Sequence, residues 1–319
     1  MGEGTPSPFP FGEGWDEGRF YVSPKTITMP FPYLNETKEL NEAVRREIGG
    51  SFVALKDGVT HYELSGPKDG RAIVLVHGFS VPSFIYDPTF EFLVSSGFRV
   101  LRYDLIGRGY SDKPPARYDI HLFVNQLKDL LDALKISEVD LVGLSMGAPV
   151  TAAFIESYPR YVRKHMLIDP CGAKRIELSR LLEAAKLPLV GELLIGLFGS
   201  DSLLKGIADD FFDPKLVEIF QTKYKIQMQY KGFKRALLST LRNRLLESFL
   251  DTYLKIGLLK IPTLIFWGEN DKTTPFEDHK LLLQVLPHAE FHPIKNCSHI
   301  PHYEKTEIVN PIMLKFLSK

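Results

Sequence analysis

The stretch Glu138–Tyr158, EVDLVGLSMGAPVTAAFIESY, decides how this chain is read. Its opening, EVDLV, is short and largely apolar, as suits a strand buried on both faces of a parallel sheet. Its close, from Ala148 to Tyr158, reads as a helix. Between them stands Gly143-Leu144-Ser145-Met146-Gly147, a G-x-S-x-G turn in the strand-to-helix context that exposes a serine hydroxyl at a sheet edge. A serine on so tight a turn takes a strained backbone, and glycine two residues to either side lets the chain turn that sharply. The helix N-terminus brings amides and a positive dipole end beneath the hydroxyl. Ser145 is therefore the candidate nucleophile.

Working outward, SFVALKDGVTHYELSG (residues 51–66) predicts a hairpin turning at Asp57-Gly58. Further apolar runs follow at Ala72–Val76, Phe98–Tyr103, His165–Ile168 and Ile261–Trp267, with helix-like segments at Tyr86–Ser96 and Ile120–Lys135. Strand and helix in alternation predict an α/β fold, a mostly parallel doubly wound sheet. The alternation breaks between about residues 174 and 257, which read as helices alone. A helical cap inserted between two sheet strands is expected there, over the carboxyl edge where open α/β sheets bind ligands. The expected division is 1–50, an N-terminal arm with a short helix over Glu36–Arg45; 51–173 with 258–319, the core; and 174–257, the cap. The aromatic residues of the arm are expected to pack on the body.

A serine needs a base, and the base needs an orienting acid. His299, in NCSHIPHYEK, falls after the strand pattern AEFHPI, in a loop that would return beside Ser145. His302 and His292 read as structural. Asp271, in Trp267-Gly268-Glu269-Asn270-Asp271, follows the strand TLIFW and is the candidate acid, with Asp169 in LIDPCG as its rival. Glu269 and Asp278 read as solvated. An oxyanion needs preorganised donors, worth roughly 3 kcal/mol each. The backbone N–H groups of Met146 and of Phe79, in His77-Gly78-Phe79-Ser80, are the candidates, with His77 bracing its loop.

With these residues assembled, Ser51 to Lys319 resembles the α/β-hydrolase fold superfamily, of the capped serine carboxylesterase and lipase type. The order Ser, Asp, His agrees with it. Asp104-Leu105-Ile106-Gly107-Arg108-Gly109-Tyr110-Ser111 is similar to the superfamily's D-x-x-G-x-G-x-S structural turn, while Ala148 departs from a second glycine common after the elbow. Dehalogenases and epoxide hydrolases of this fold carry aspartate where Ser145 stands. The HGF segment resembles the oxyanion loop of the family's single-glycine class, associated with short- to medium-chain and longer acyl esters rather than those of bulky tertiary alcohols. Carbon–carbon bond hydrolases usually have a longer G-x-G-P-G segment, absent from His77 to Pro82. The resemblance implies a carboxylic-ester hydrolase, a short- to medium-chain esterase or a lipase, needing no cofactor and no metal. Its alternatives are a carbon–carbon bond hydrolase, a perhydrolase, or a ligand receptor on the same scaffold.

Composition agrees. The chain has 319 residues, 44% hydrophobic and 24% charged, with 39 basic and 39 acidic side chains, so no basic field points to nucleic acid. A chain this long buries roughly 75% of its unfolded surface and needs no staples. Cys171 and Cys297, far apart and without ligand spacing, read as free buried thiols of a reducing compartment. No signal-peptide pattern opens the chain, and the longest apolar run, Leu187–Phe198, is too short to span a bilayer. A small-molecule ester as partner, no membrane insertion and a cytoplasmic location are the expectations; oligomeric state is left open. Lys223, Lys225, Lys231, Lys234, Arg235, Arg242 and Arg244 read as a solvated helix face, or else as an attractor of carboxylate-bearing substrates. The run LPLVGELLIGLF reads as cap packing, or else as the wall of an acyl tunnel or a lid.

Overall fold

The protein is described from a computed structural model covering residues 33–319. The expectations for residues 1–32 lie outside the described residues. Eight strands form one sheet: β1 (Ser51–Leu55), β2 (Gly58–Ser65), β3 (Ala72–Val76), β4 (Arg99–Tyr103), β5 (Val139–Leu144), β6 (Val162–Ile168), β7 (Thr263–Gly268) and β8 (Glu290–Ile294). Their order is β1-β2-β4-β3-β5-β6-β7-β8. β2 runs antiparallel to β1 and β4, and the remaining neighbours are parallel.

Both faces of the sheet are covered, which explains why its strands read as continuous apolar runs. In β3, Val74 and Val76 enter one core layer and Ile73 and Leu75 the other. Each such side chain contributes about 1.5–3 kcal/mol on burial. The first layer packs α3 (Ile120–Ala133), α4 (Gly147–Ser157), α9 (Leu250–Leu258) and α10 (His279–Val285) on the sheet. The second packs α2 (Asp87–Ser95), α11 (Pro301–Glu304) and α12 (Thr306–Ser318). The two-residue hairpin loop is Lys56–Asp57, one place earlier than expected, because Gly58 already pairs with Leu55.

The first helix, α1, runs Glu42–Glu47 and not from Glu36. Asn41 caps it, accepting from the Val44 amide, and this fixes its start. Glu36 instead accepts from the Gly232 and Lys234 amides, so the segment before the helix is held by residues far along the chain.

Between β6 and β7 the chain makes only helices: α5 (Arg180–Ala184), α6 (Val190–Asp209), α7 (Val217–Gln227) and α8 (Phe233–Arg242), before α9 rejoins the core beside α4. No helix among the described residues is long and apolar enough to cross a membrane.

Candidate active site

Ser145 follows β5 directly and has φ of 52°, a left-handed conformation unusual for a residue with a side chain. It is held there by three main-chain bonds: its amide donates to Ile168 O, and its carbonyl accepts from Ala148 and Cys171. The flanking glycines serve close approach, not the turn itself. Neither has positive φ. A Cβ on Gly147 would come 2.2 Å from Val76 O, and one on Gly143 would come 2.6 Å from Thr151 Oγ1. The elbow is thus wedged between β3 and α4.

His299 and Asp271 meet as expected, with His299 Nδ1 2.8 Å from Asp271 Oδ2. Asp271 lies in a tight turn in which it accepts the amides of Thr273 (2.8 Å) and Thr274 (3.0 Å) and the Thr274 hydroxyl (2.6 Å). Burial opposes its charge, yet His299 and the Thr274 donors hold its carboxyl below the ordinary range. For His299, burial disfavours the cation, but Asp271, Asp210 and Asp169 outweigh it and raise the imidazole to about 10.

The rival acid, Asp169, makes no bond to His299. Its Oδ1 accepts the Gly268 amide at 2.8 Å, and its φ is 42°. Burial and the charge of Asp271 push its carboxyl well above the ordinary range. Among the described residues, Asp169, Asp271 and His299 also form the one cluster of metal-ligand type, their ligand atoms lying within 4.8 Å of one another. His299 Nδ1 and Asp271 Oδ2 are already turned on each other within it.

The candidate oxyanion donors fit their part. The Phe79 and Met146 amides donate to no protein acceptor among the described residues. α4 begins without a side-chain cap, so its first amides stay available. A Cβ on Gly78 would meet Ser145 Cβ at 3.2 Å, which brings this loop against the nucleophile. His77 braces the loop, its Nε2 accepting the Leu105 amide at 2.9 Å, and burial lowers it to about 4, so the ring is neutral. His302 lies buried against Ile85 O, and His292 bonds Glu290 within β8.

Three features escaped the sequence reading. The Ser145 hydroxyl shares a 3.4 Å hydrogen bond with the Cys171 thiol, and burial raises that thiol to about 12. Both cysteines are free and buried, and their places after strands were the signal available. Arg108 is fully buried; Nε donates to Phe79 O at 2.9 Å and Nη2 to Thr240 Oγ1 at 2.7 Å. The D-x-x-G-x-G-x-S turn therefore fixes the oxyanion loop to α8. Asp210, at the end of α6, accepts from the Thr273 hydroxyl beside Asp271, and nothing local in sequence marks it.

Of the insertion's basic residues, Lys223, Lys225, Lys231 and Arg244 are exposed, as a solvated face requires, while Lys234 is buried and Arg235 and Arg242 are half-buried. Lys223 pairs with Asp87, Lys231 with Glu39 and Arg242 with Glu192. Lys234 is buried against Leu34 O, and Arg235 donates to Lys113 O. The insertion also encloses a cavity of about 140 Å³ lined by Phe79, Leu181, Leu194, Ile195, Leu238 and Leu241 among others, with Ser202 its one polar residue.

The family model for the alpha/beta hydrolase fold matches residues 71–306. Carboxylesterase YbfK of Bacillus subtilis (strain 168) is 28% identical over 271 residues, 83% of this chain and 86% of that protein. A 2-hydroxy-6-oxononadienedioate/2-hydroxy-6-oxononatrienedioate hydrolase of Comamonas testosteroni is equally similar, 28% over 294 residues, 88% of this chain and 99% of that one. The missing glycine-rich oxyanion segment therefore does not separate this chain from such relatives. In structure, the enol-lactonase of Burkholderia xenovorans LB400 superposes with a TM-score of 0.72 at 21% identity, over 84% of this chain and all of that one, a likeness of fold.

Proposed function

The chain belongs to the alpha/beta hydrolase fold family, and from that premise we propose that it is a serine hydrolase of carboxylic esters with an uncharged, apolar acyl group. The observation that carries the chemistry is the His299–Asp271 pair at 2.8 Å, and a strained Ser145 with the unengaged Phe79 and Met146 amides supports it. Ser145 turns from Cys171 toward His299 Nε2, gives up its proton and attacks the ester carbonyl. The Phe79 and Met146 amides hold the oxyanion. Asp271 holds Nδ1–H of His299, so that once the ring has lost its second proton Nε2 is the free nitrogen, and it stabilises the imidazolium. The alcohol departs with the proton from His299, and water releases the acid by the reverse sequence.

The cavity under the cap supports this substrate class, because Phe79, whose amide serves the oxyanion, is among its lining residues. At about 140 Å³ it suits a group on the order of benzene in size. Its lining includes no charged side chain, which disfavours a dienedioate, whose remote carboxylate needs a cation. The relatives named for dienedioate hydrolysis keep carbon–carbon bond cleavage as the second reading.

Hydrolysis of p-nitrophenyl esters from acetate to palmitate, beside decay of a 2-hydroxy-6-oxo-dienoate chromophore, separates the two. The expected result is ester turnover with an optimum near six acyl carbons, lost in Ser145→Ala, and stoichiometric fluorophosphonate labelling of Ser145. Labelling with turnover of the dienoate alone would move the assignment to carbon–carbon hydrolysis.

A further inference from the structure

Asp210 stands where α6 ends and the cap meets the carboxyl edge of the sheet. Its carbonyl accepts the His299 amide at 3.1 Å, and its carboxylate accepts the Thr273 hydroxyl at 2.7 Å. Thr273 gives its own amide to Asp271 at 2.8 Å. One residue of the cap therefore touches both the loop that carries the base and the loop that carries the acid. Its neighbours fasten the same corner. Ser298 Oγ donates to Asp209 O at 3.1 Å. Glu304 accepts the amides of Phe212 (2.8 Å) and Asp213 (2.9 Å) with one oxygen and that of Ser298 (3.1 Å) with the other.

We propose that Asp210 is a positioning residue for His299, a carboxylate delivered by the cap that ties the state of the base to the seating of the cap. The proposal rests on the reading of Ser145 and His299 as nucleophile and base. The titratable groups facing His299 are Asp271, Asp210, Asp169 and, from α11, His302. Burial lowers His302 to about 3, so the acidic groups supply the charge, Asp271 first, then Asp210, then Asp169. Asp210 itself faces His299, Asp271, Asp209 and Tyr224. Burial raises it to about 6, which leaves it ionised at neutral pH.

A second carboxylate near the ring stabilises the imidazolium formed during attack. It also keeps the resting ring protonated up to a higher pH. Lifting the cap corner withdraws that charge and lowers the basicity of His299, so cap position and base strength change together.

Asp210→Asn is the test. The side-chain amide still offers Thr273 an acceptor oxygen, and the bond from the His299 amide is a main-chain one, so the charge alone is removed. The readout is the rate of Ser145 labelling by a fluorophosphonate across pH, which needs His299 as base and no natural substrate. The acidic limb is expected to move down by about one pH unit, so that on the limb the variant labels about tenfold faster than the wild type. Asp209→Asn, at the exposed neighbour, is expected to leave the limb in place. A limb unmoved in Asp210→Asn, or moved equally by Asp209→Asn, overturns the proposal alone. A wild type that does not label at all overturns the nucleophile reading, and the proposal with it.

Discussion

Strand β5 and helix α6 are both rich in apolar residues and use them in opposite ways. All six residues of β5 are buried. α6 buries Gly191, Gly196, Gly199, Ser200 and Ile207, and turns Leu193, Leu197 and Phe198 outward at 47, 47 and 54% exposure. Its small residues let it lie close on its neighbours; a Cβ on Gly191 would sit 2.0 Å from Ala185 O. Pairing and apolar packing on every side leave β5 no freedom, and Ser145 inherits that rigidity. α6 is fastened along a narrow stripe, and its remaining side chains face either the cavity or solvent. On the function proposed above, the reaction belongs to the core and the choice of substrate to the cap, and variants on each side can break that division.

The largest effect is expected from Ser145→Ala, which should lower kcat on every ester by about a million-fold while leaving the fold intact. Steady-state rates beside circular dichroism check it. A loss confined to some esters would contradict a core that carries chemistry alone. Next comes the acid. Asp271→Asn disturbs the tautomer of His299 and should cost about 10⁴-fold in kcat. Asp169→Asn keeps an acceptor oxygen for the Gly268 amide and removes no bond to His299, and should cost about tenfold or less. Equal losses would mean that Asp169 shares the role of acid, against the geometry of the 2.8 Å bond.

What the sequence made legible follows the same division. The elbow, the hairpin and the order Ser145, Asp271, His299 are local or depend on strand ends, which apolar runs mark well. Even there the reason for a residue can be misread: Gly143 and Gly147 relieve contacts with Thr151 and Val76 O, not backbone strain of their own. Asp210 was hidden because it meets His299 across 89 residues and carries no motif of its own. Among the basic residues of the insertion, Lys234 read as solvated because sequence lists its charge and not its partners. It is buried against Leu34, 200 residues away.

Stability should divide in the same way. Phe154→Ala empties a fully buried site beside Tyr158 and Tyr161 in the first core layer and is expected to cost about 3–5 kcal/mol. Leu193→Gln, on the outer face of α6, should stay within about 0.5 kcal/mol. Denaturant midpoints at constant m-value measure both. A Leu193→Gln cost near that of Phe154→Ala would mean that this face of the cap is covered in the working protein, and the contrast between α6 and β5 would lose its basis.

The narrowest effect is also the most selective. Leu238 lies on α8, is 2% exposed and lines the same cavity as Phe79. Leu238→Phe adds volume to a space of about 140 Å³ and should reject longer acyl groups by about 10- to 200-fold in kcat/KM for each methylene that no longer fits. Acetate should be spared, because its two carbons stay at the carbonyl and never reach the cap. Leu238→Ala should move the optimum toward longer chains. Both variants leave Ser145, His299 and the two amides untouched, so the pH profile with acetate should coincide with that of the wild type. A uniform fall across all chain lengths would instead mean that the cavity takes no part of the acyl group. The ester would then lie along another face of the cap, and Phe79 would serve the oxyanion through its amide alone.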